Sequence, residues 1–356
     1  MSNFDKYLDD EENFFKKTKE IKHTKKLLQK NDRSKFKKTD LDKKKTKILK
    51  NNLEKAKIFS IFGENILVKS NNIKFEALLR GNLKKDISKN SNILAVGDNV
   101  LISIENNKAS IEEVLPRKSI LSREDTKTKK QKIIAANIDQ VLIIGSLYNP
   151  QFKPHLIDRY IIAAIKGNMD AIIIINKIDL LEKDLKEKEK YLDFLNIYTD
   201  LGYKIIPVSS KRKNNLSKII EVMQNKVSVF SGQSGTGKSS ILNKLFNLKL
   251  KTGKTSKLMK GTHVTTRSTL IELNENSYCI DTPGIKSFSI FDLTINDIKE
   301  YFFDIELYAK KCKFFNCNHI DEPECNVKKA VKNNKISCIR YESYINLVNE
   351  IKEKNE

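Results

Sequence analysis

Two segments of this chain carry residue types that could handle a nucleotide, and they occur in an unusual order. Gly232-Gln233-Ser234-Gly235-Thr236-Gly237-Lys238-Ser239 fits a P-loop. Glycines at such a place let backbone N–H groups wrap phosphates closely, and the start of the following helix adds its own anion site. Lys238 is placed to reach the β- and γ-phosphates and the Ser239 hydroxyl to ligate Mg²⁺, with the adjoining Ser240 counted in the same site. Asn176-Lys177-Ile178-Asp179 fits the guanine-selecting pattern N-K-x-D. The Asp179 carboxylate would accept from the two guanine N–H donors that adenine lacks. Asn176 would buttress the base edge and the Lys177 stem would pack along the base plane. A wrong base would leave a buried carboxylate unpaired, which is how such a site discriminates. In an ordinary guanine-nucleotide domain the P-loop comes first. Here it comes second, so the pocket reads as one built from a circularly permuted chain.

Asp281-Thr282-Pro283-Gly284 fits D-x-x-G, with Asp281 holding Mg²⁺ through water and the Gly284 N–H sensing the γ-phosphate. The polar stretch from Lys260 to Thr266 suits a metal-sensing switch in which Thr265 or Thr266 coordinates Mg²⁺ only when the γ-phosphate is present. Spacing does not choose between the two. Many GTPases follow D-x-x-G with a glutamine that orients water, but here Ile285 stands there and cannot hydrogen-bond. His263 is the candidate to hold or polarise that water, with a surface histidine as the plain alternative. Ser209-Ser210-Lys211 follows a strand and reads either as backbone support for the base or as an ordinary polar turn.

A second chemistry is written in Cys312-x4-Cys317-x-His319-x5-Cys325, three thiols and one imidazole within 14 residues. That set suits tetrahedral Zn²⁺, and four protein ligands leave no open position, so the site is expected to be structural. Cys279 and Cys338 fall outside the cluster and read as buried small side chains. Lys310, Lys311, Lys313, Lys328, Lys329 and Lys332 surround it, so the metal would fix a surface that touches RNA phosphates.

These residues need strands and helices to position them. Short β-like runs at 58–62, 66–69, 75–79, 99–104 and 109–114, separated by Gly, Asn, Asp and Ser, predict a small barrel of OB-fold type. From Ile133 onward strands alternate with helices. Buried strands at 140–145, 169–176, 203–208, 227–230 and 278–280, with helices near 155–167, 182–199, 214–225 and 238–248, predict an α/β layer with a largely parallel sheet. The chain is therefore expected to be multidomain α+β. It divides into a basic extension (1–54), an OB-fold RNA-binding domain (55–125), a permuted GTPase domain (126–293) and a helical zinc domain (294–356). The extension carries 17 Lys+Arg against 10 Asp+Glu and reads as a basic arm or a helix that orders on RNA.

The 356-residue chain has 67 Lys+Arg against 45 Asp+Glu, a formal charge of +22, which points to a polyanionic partner. A compositional preference for Lys, Asn and Ile explains Lys over Arg but not the shortage of acids. No run approaches the roughly 18–20 apolar residues of a membrane-spanning helix, and no signal-peptide core is seen. The expectation is a cytoplasmic monomer with reduced cysteines and no membrane association.

Taken together, N-K-I-D before G-Q-S-G-T-G-K-S, the G-T-H-V-T-T switch, D-T-P-G-I and C-x4-C-x-H-x5-C resemble the ribosome small-subunit-dependent GTPases, the RsgA/YjeQ family. Ala136-Asn137-Ile138-Asp139-Gln140 and the Val96-Gly97-Asp98 turn resemble it too, and the likeness runs from about 57 to 345. The resemblance implies a late factor in 30S subunit maturation whose GTPase is stimulated by the subunit, with 30S rRNA and GTP/GDP as partners. It implies zinc on Cys312, Cys317, His319 and Cys325, and it matches His263 to a switch histidine that assists hydrolysis. Two departures stand out. Val264 replaces a threonine of the usual H-T-T-T switch, and the N-terminal arm is longer than the resemblance covers. The barrel is expected to join through the linker before Ile133, on the side opposite the zinc domain. The alternative is an RNA-binding module or RNA chaperone in which GTP binding is structural. An ATPase of another P-loop family is disfavoured by Asn176–Asp179.

Overall fold

The computed structural model describes residues 53–80, 94–105, 108–124, 131–148, 150, 152–183, 185–250, 268–274, 276–281 and 294–355, all within one compact unit. Residues 1–52 of the basic extension, the switch stretch with His263, Thr265 and Thr266, and Gly284 lie outside these residues.

Five strands make the first layer: β1 (Glu54–Phe62), β2 (Asn65–Ser70), β3 (Ile73–Leu79), β4 (Asn99–Glu105) and β5 (Lys108–Val114). They pair in the order β1-β2-β3-β5-β4, and β4 closes back onto β1, with β3 and β5 parallel and the other pairs antiparallel. This is a closed five-stranded OB-type barrel. Alternate side chains point inward, and Ile58, Val68, Val100, Ile102 and Ile111 form its dry centre.

A hairpin of β6 (Ile120–Glu124) and β7 (Gln131–Ala136) follows, and the expected domain boundary at 125/126 falls between its strands, outside the described residues. Next come β8 (Gln140–Ser146), α1 (Pro154–Lys166), β9 (Asp170–Asn176), a 3₁₀ turn (Ile178–Lys183), α2 (Leu185–Asp200), β10 (Lys204–Pro207) and α3 (Leu216–Val222). After them run β11 (Val227–Ser231), α4 (Lys238–Leu250), β12 (Thr269–Asn274) and β13 (Ser277–Asp281). Their sheet order is β10-β9-β8-β11-β13-β12, parallel except for β12, which runs antiparallel beside β13.

Strands covered on both faces need apolar residues at every position, which is why β8 (QVLIIGS) and β9 (DAIIIIN) are near-continuous aliphatic runs. Val141, Ile143, Ile173 and Ile175 pack on one face with α1 and α2, where Phe194 and Tyr198 are fully buried. Leu142, Ile144, Ile172 and Ile174 pack on the other with α3 and α4. The antiparallel β12 is absent from the sequence reading. It also carries the sheet onward, because Thr269 pairs with Ser60 of β1, so that barrel and α/β layer share one eleven-stranded sheet. The barrel is thus joined at a second place besides the linker before Ile133.

The remaining helices are α5 (Ile295–Tyr301), α6 (Phe303–Ala309), α7 (Asn326–Lys332) and α8 (Cys338–Asn355). A reciprocal capping box between Thr294 and Asp297 starts α5. Phe302, Ile305, Val327, Tyr344 and Val348 form their core, which includes Cys317, Cys325 and Ile162 of α1.

Candidate nucleotide site and metal centre

Parallel α/β sheets expose their ligand sites at the carboxyl ends of the strands. All the described nucleotide residues lie at that edge. Asn176 ends β9, Ser209 and Ser210 follow β10, the P-loop follows β11, and Asp281 ends β13. β9 and β11 flank β8 in the sheet, so the base box and the P-loop converge although 60 residues separate Asn176 from Thr236.

Asn176 holds the pieces together. It is fully buried, its Nδ2 donates to Thr236 O at 2.9 Å, and its Oδ1 accepts from the Ser210 N–H at 3.0 Å. Lys177, with φ of 65°, aims its ammonium back at the P-loop and donates to Gly235 O at 2.9 Å and Tyr148 O at 3.3 Å. Asp179 is buried, and the Ser209 hydroxyl donates to its Oδ1 while accepting from the Arg212 N–H at 3.1 Å. Ser209 therefore orients the Asp179 carboxylate through its side chain, a tie that the reading of a backbone turn did not contain.

The P-loop backbone requires its glycines. Gly232 and Gly237 have φ of 140° and 94°. A Cβ on Gly232 would lie 2.1 Å from Ile144 O, and one on Gly237 would lie 2.3 Å from Asn176 Nδ2. The Thr236 hydroxyl donates to Gln233 O at 2.9 Å, closing the loop on itself. The Lys238 ammonium donates to Gly232 O at 2.5 Å and Gln233 O at 2.7 Å, and burial lowers its pKa from the ordinary lysine value. Ser239 and Ser240 stand exposed in the first turn of α4, where unpaired N–H groups favour an anion. Ser239 is thus clear of the core.

The second site is compact. One ligand atom from each of Cys312, Cys317, His319 and Cys325 lies within 4.8 Å of the others. Cys312 Sγ is 3.6 Å from His319 Nδ1 and 3.8 Å from Cys325 Sγ, and Cys325 Sγ is 3.5 Å from His319 Nδ1. Metal–sulfur bonds of about 2.3 Å and metal–nitrogen bonds of about 2.0–2.1 Å put tetrahedral ligand atoms roughly 3.5–3.8 Å apart, so the donor set fits a zinc-type ion. His319 has φ of 63°, and Tyr341 donates from its hydroxyl to His319 O at 2.6 Å. Burial and the nearby Lys299 lower the imidazole pKa to about 4 against the pull of Glu322, so the ring is neutral and able to ligate at neutral pH. Burial pushes the Cys317 thiol up to about 12, with the neighbouring thiols adding to the rise. The Cys317 thiol would therefore become a thiolate ligand at neutral pH only with a cation beside it. Of the other cysteines, Cys279 is buried as expected, whereas Cys338 is exposed at the start of α8.

Comparison with known proteins agrees with this geometry. The family model described as RsgA GTPase matches residues 114–291. A Flavobacterium johnsoniae protein named small ribosomal subunit biogenesis GTPase RsgA is 36% identical over 280 residues, 77% of this chain and 86% of that protein. The chain belongs to the RsgA GTPase family. It is a GTP hydrolase. A Cytophaga hutchinsonii relative of the same name is 38% identical over 301 residues, covering 83% of this chain and 97% of its own. Among solved structures, YjeQ from Thermotoga maritima aligns with a TM-score of 0.67 at 30% identity, covering 84% of this chain and 98% of that one. YloQ, titled a circularly permuted GTPase, aligns at 0.65 and 28% identity, covering 85% and 96%.

Two further RsgA-like segments meet at the joint between barrel and α/β layer. Asp98 is fully buried, and Arg117 clasps it with donors at 2.7 and 2.8 Å. Asn137 donates to Gly97 O at 3.0 Å and accepts from the Lys118 N–H at 2.9 Å, while Asp139 accepts from the Val227 N–H at 2.7 Å. The Val96–Asp98 turn and the Ala136–Gln140 run thus tie the barrel to the α/β layer. The other joint was not legible in the sequence. Asp158 of α1 pairs with Arg340 of α8 and accepts from Ser343 and, at 2.7 Å, from Tyr198; Arg340 also reaches Asp304 at 2.9 and 3.0 Å. The Arg340 guanidinium lies 4.2 Å from the Phe302 ring centroid. A lone arginine at an inward helical position was the available signal.

Proposed function

We propose that this chain hydrolyses GTP on the small ribosomal subunit during its late maturation, binding the subunit when loaded with GTP and leaving after hydrolysis. The observation that carries this reading is the bond from Asn176 to Thr236, which makes one pocket of the base box and the P-loop, in a chain whose relatives are named small ribosomal subunit biogenesis GTPases.

In this reading Asp179, set by Ser209, selects guanine, and Gly232–Ser240 cradle the phosphates with Lys238 on the β/γ pair. Ser239, Asp281 through water, and in the GTP state Thr265 or Thr266 would hold Mg²⁺, which would supply charge to offset the negative phosphates. Gly284 senses the γ-phosphate, and His263 positions water in place of the glutamine that Ile285 excludes. Cys312, Cys317, His319 and Cys325 hold one structural zinc. The proposed domain limits are 1–54, 55–125, 126–293 and 294–356, and the proposed setting is the cytoplasm, as a monomer.

Nucleotide state reaches the barrel through the β12–β13 hairpin, which is bracketed by the switch stretch on one side and D-T-P-G on the other. The supports are the pairing of Thr269 with Ser60, the ion pair of Lys69 with Glu272 at 2.6 Å, and the edge-on contact of Phe59 with Tyr278 at 5.7 Å. Co-sedimentation with purified small subunits tests the cycle. Retention with a non-hydrolysable GTP analogue and release with GDP is expected; equal retention in both states would remove the proposed coupling.

A further inference from the structure

The loop between the first two cysteines of the metal centre carries two adjacent aromatic residues outside the core. Phe314 is 41% exposed and Phe315 is 107% exposed. A single exposed apolar side chain is ordinary and needs no explanation. This pair is set apart by where the backbone puts it. The Cys317 N–H donates to Phe314 O at 3.3 Å, which makes Phe314–Cys317 a β-turn with Phe315 and Asn316 at its corner. Turn corners favour Gly, Pro, Asn, Asp and Ser, so an aromatic ring there gains nothing from folding. The turn is also anchored at both ends, since Cys312 and Cys317 both belong to the buried Cys/His cluster. The ring is thus carried on a backbone fixed in advance, and little ordering is needed before it meets a flat partner.

The surroundings say what that partner is. Lys310, Lys311 and Lys313 are exposed within a few residues of the ring, with no acid between Lys310 and Phe315. Glu324 lies 3.1 Å from Lys313 Nζ, and that ammonium stands 5.9 Å from the Phe314 ring centroid. An exposed ring set among cations suits a nucleobase, whose flat face stacks while its phosphate meets the lysines.

We infer that Phe315, backed by Phe314, is a stacking platform for an unpaired base of structured RNA, gripped through its phosphates by Lys310, Lys311 and Lys313. The inference rests on the small-subunit reading above and names the residue that would make the contact. Base–aromatic stacking is sequence-tolerant, so the platform adds affinity and register rather than base identity.

The chain contains no tryptophan, so Phe315→Trp places its one tryptophan at the turn, excited selectively over the 11 tyrosines at the red edge of the absorption band. Purified small ribosomal subunits are titrated onto this variant with a non-hydrolysable GTP analogue. Stacking on a base is expected to quench the emission. Unchanged emission, or a blue shift without quenching as in an apolar protein pocket, overturns the inference. In parallel, Phe315→Ala and Phe315→Leu are expected to bind subunits roughly 10-fold more weakly, and Phe315→Tyr to bind like the parent chain. Metal content and subunit-free GTP turnover should stay unchanged in all of them, which separates lost stacking from lost folding. Full binding by Phe315→Ala overturns the platform alone. A parent chain that binds no subunits overturns the small-subunit reading and the platform with it.

Discussion

The Asn176 amide donates to the P-loop at Thr236 and accepts from the turn at Ser210, so one side chain fixes the distance between the phosphate and base ends of the pocket. Gly237 leaves the room it needs, since any Cβ there would strike the amide. Gly237→Ala should therefore abolish nucleotide binding measured by calorimetry while leaving the α/β sheet folded by circular dichroism. Asp179→Asn removes a charged acceptor facing two base donors. Its GTP affinity should fall about 100-fold, about 2.7 kcal/mol, with the preference moving to xanthosine triphosphate. Unchanged base preference would remove Asp179 from the reading of guanine. The residue types and their order were legible in the sequence because each motif is local. The bonds of Asn176 to Thr236 and of Ser209 to Asp179 were not, because they depend on which strands become neighbours.

At the scale of elements, aliphatic runs announced the parallel strands, since burial on both faces leaves little room for polar residues. The strand β12 went unread for the opposite reason: Thr269–Asn274 is mixed in character, and its place is set by pairing with β13 and β1 rather than by its own pattern. The barrel strands were legible by their turns, but the closure of β4 on β1 depends on long-range pairing. The joint of α1 and α8 makes a sharp prediction. Arg340→Ala leaves Asp158 buried without its cation and should cost about 3–5 kcal/mol in chemical denaturation of the C-terminal helices. Arg340→Ala with the parent chain's unfolding midpoint would show that Asp158 is satisfied by Ser343 and Tyr198 alone. For the metal centre, Cys325→Ser should lose the bound zinc seen by elemental analysis and open the 310–335 segment to protease, while GTP affinity is retained. Zinc still bound at one per chain in that variant would contradict the four-ligand assignment.

For the whole molecule, the order of motifs takes on a structural meaning. Permutation makes D-T-P-G the last motif of the GTPase domain in the chain, ahead of the helices that carry the metal centre, and β12, the outermost α/β strand, is where the barrel attaches. In the chain, β12 and β13 are flanked by the two segments proposed to respond to the γ-phosphate, the switch stretch and D-T-P-G. Lys69→Ala, which breaks the ion pair to Glu272, should leave subunit-free GTP turnover unchanged and reduce any stimulation by the subunit. Equal stimulation in Lys69→Ala and the parent chain would take that ion pair out of the route. A net charge of +22 further predicts subunit binding that weakens steeply between low and physiological salt. The most direct test of the central claim is GTP turnover measured with and without purified small ribosomal subunits. The expected result is slow turnover by the chain alone, as the absence of a water-orienting glutamine implies, and a large rise on adding subunits. Equal rates in both would contradict it.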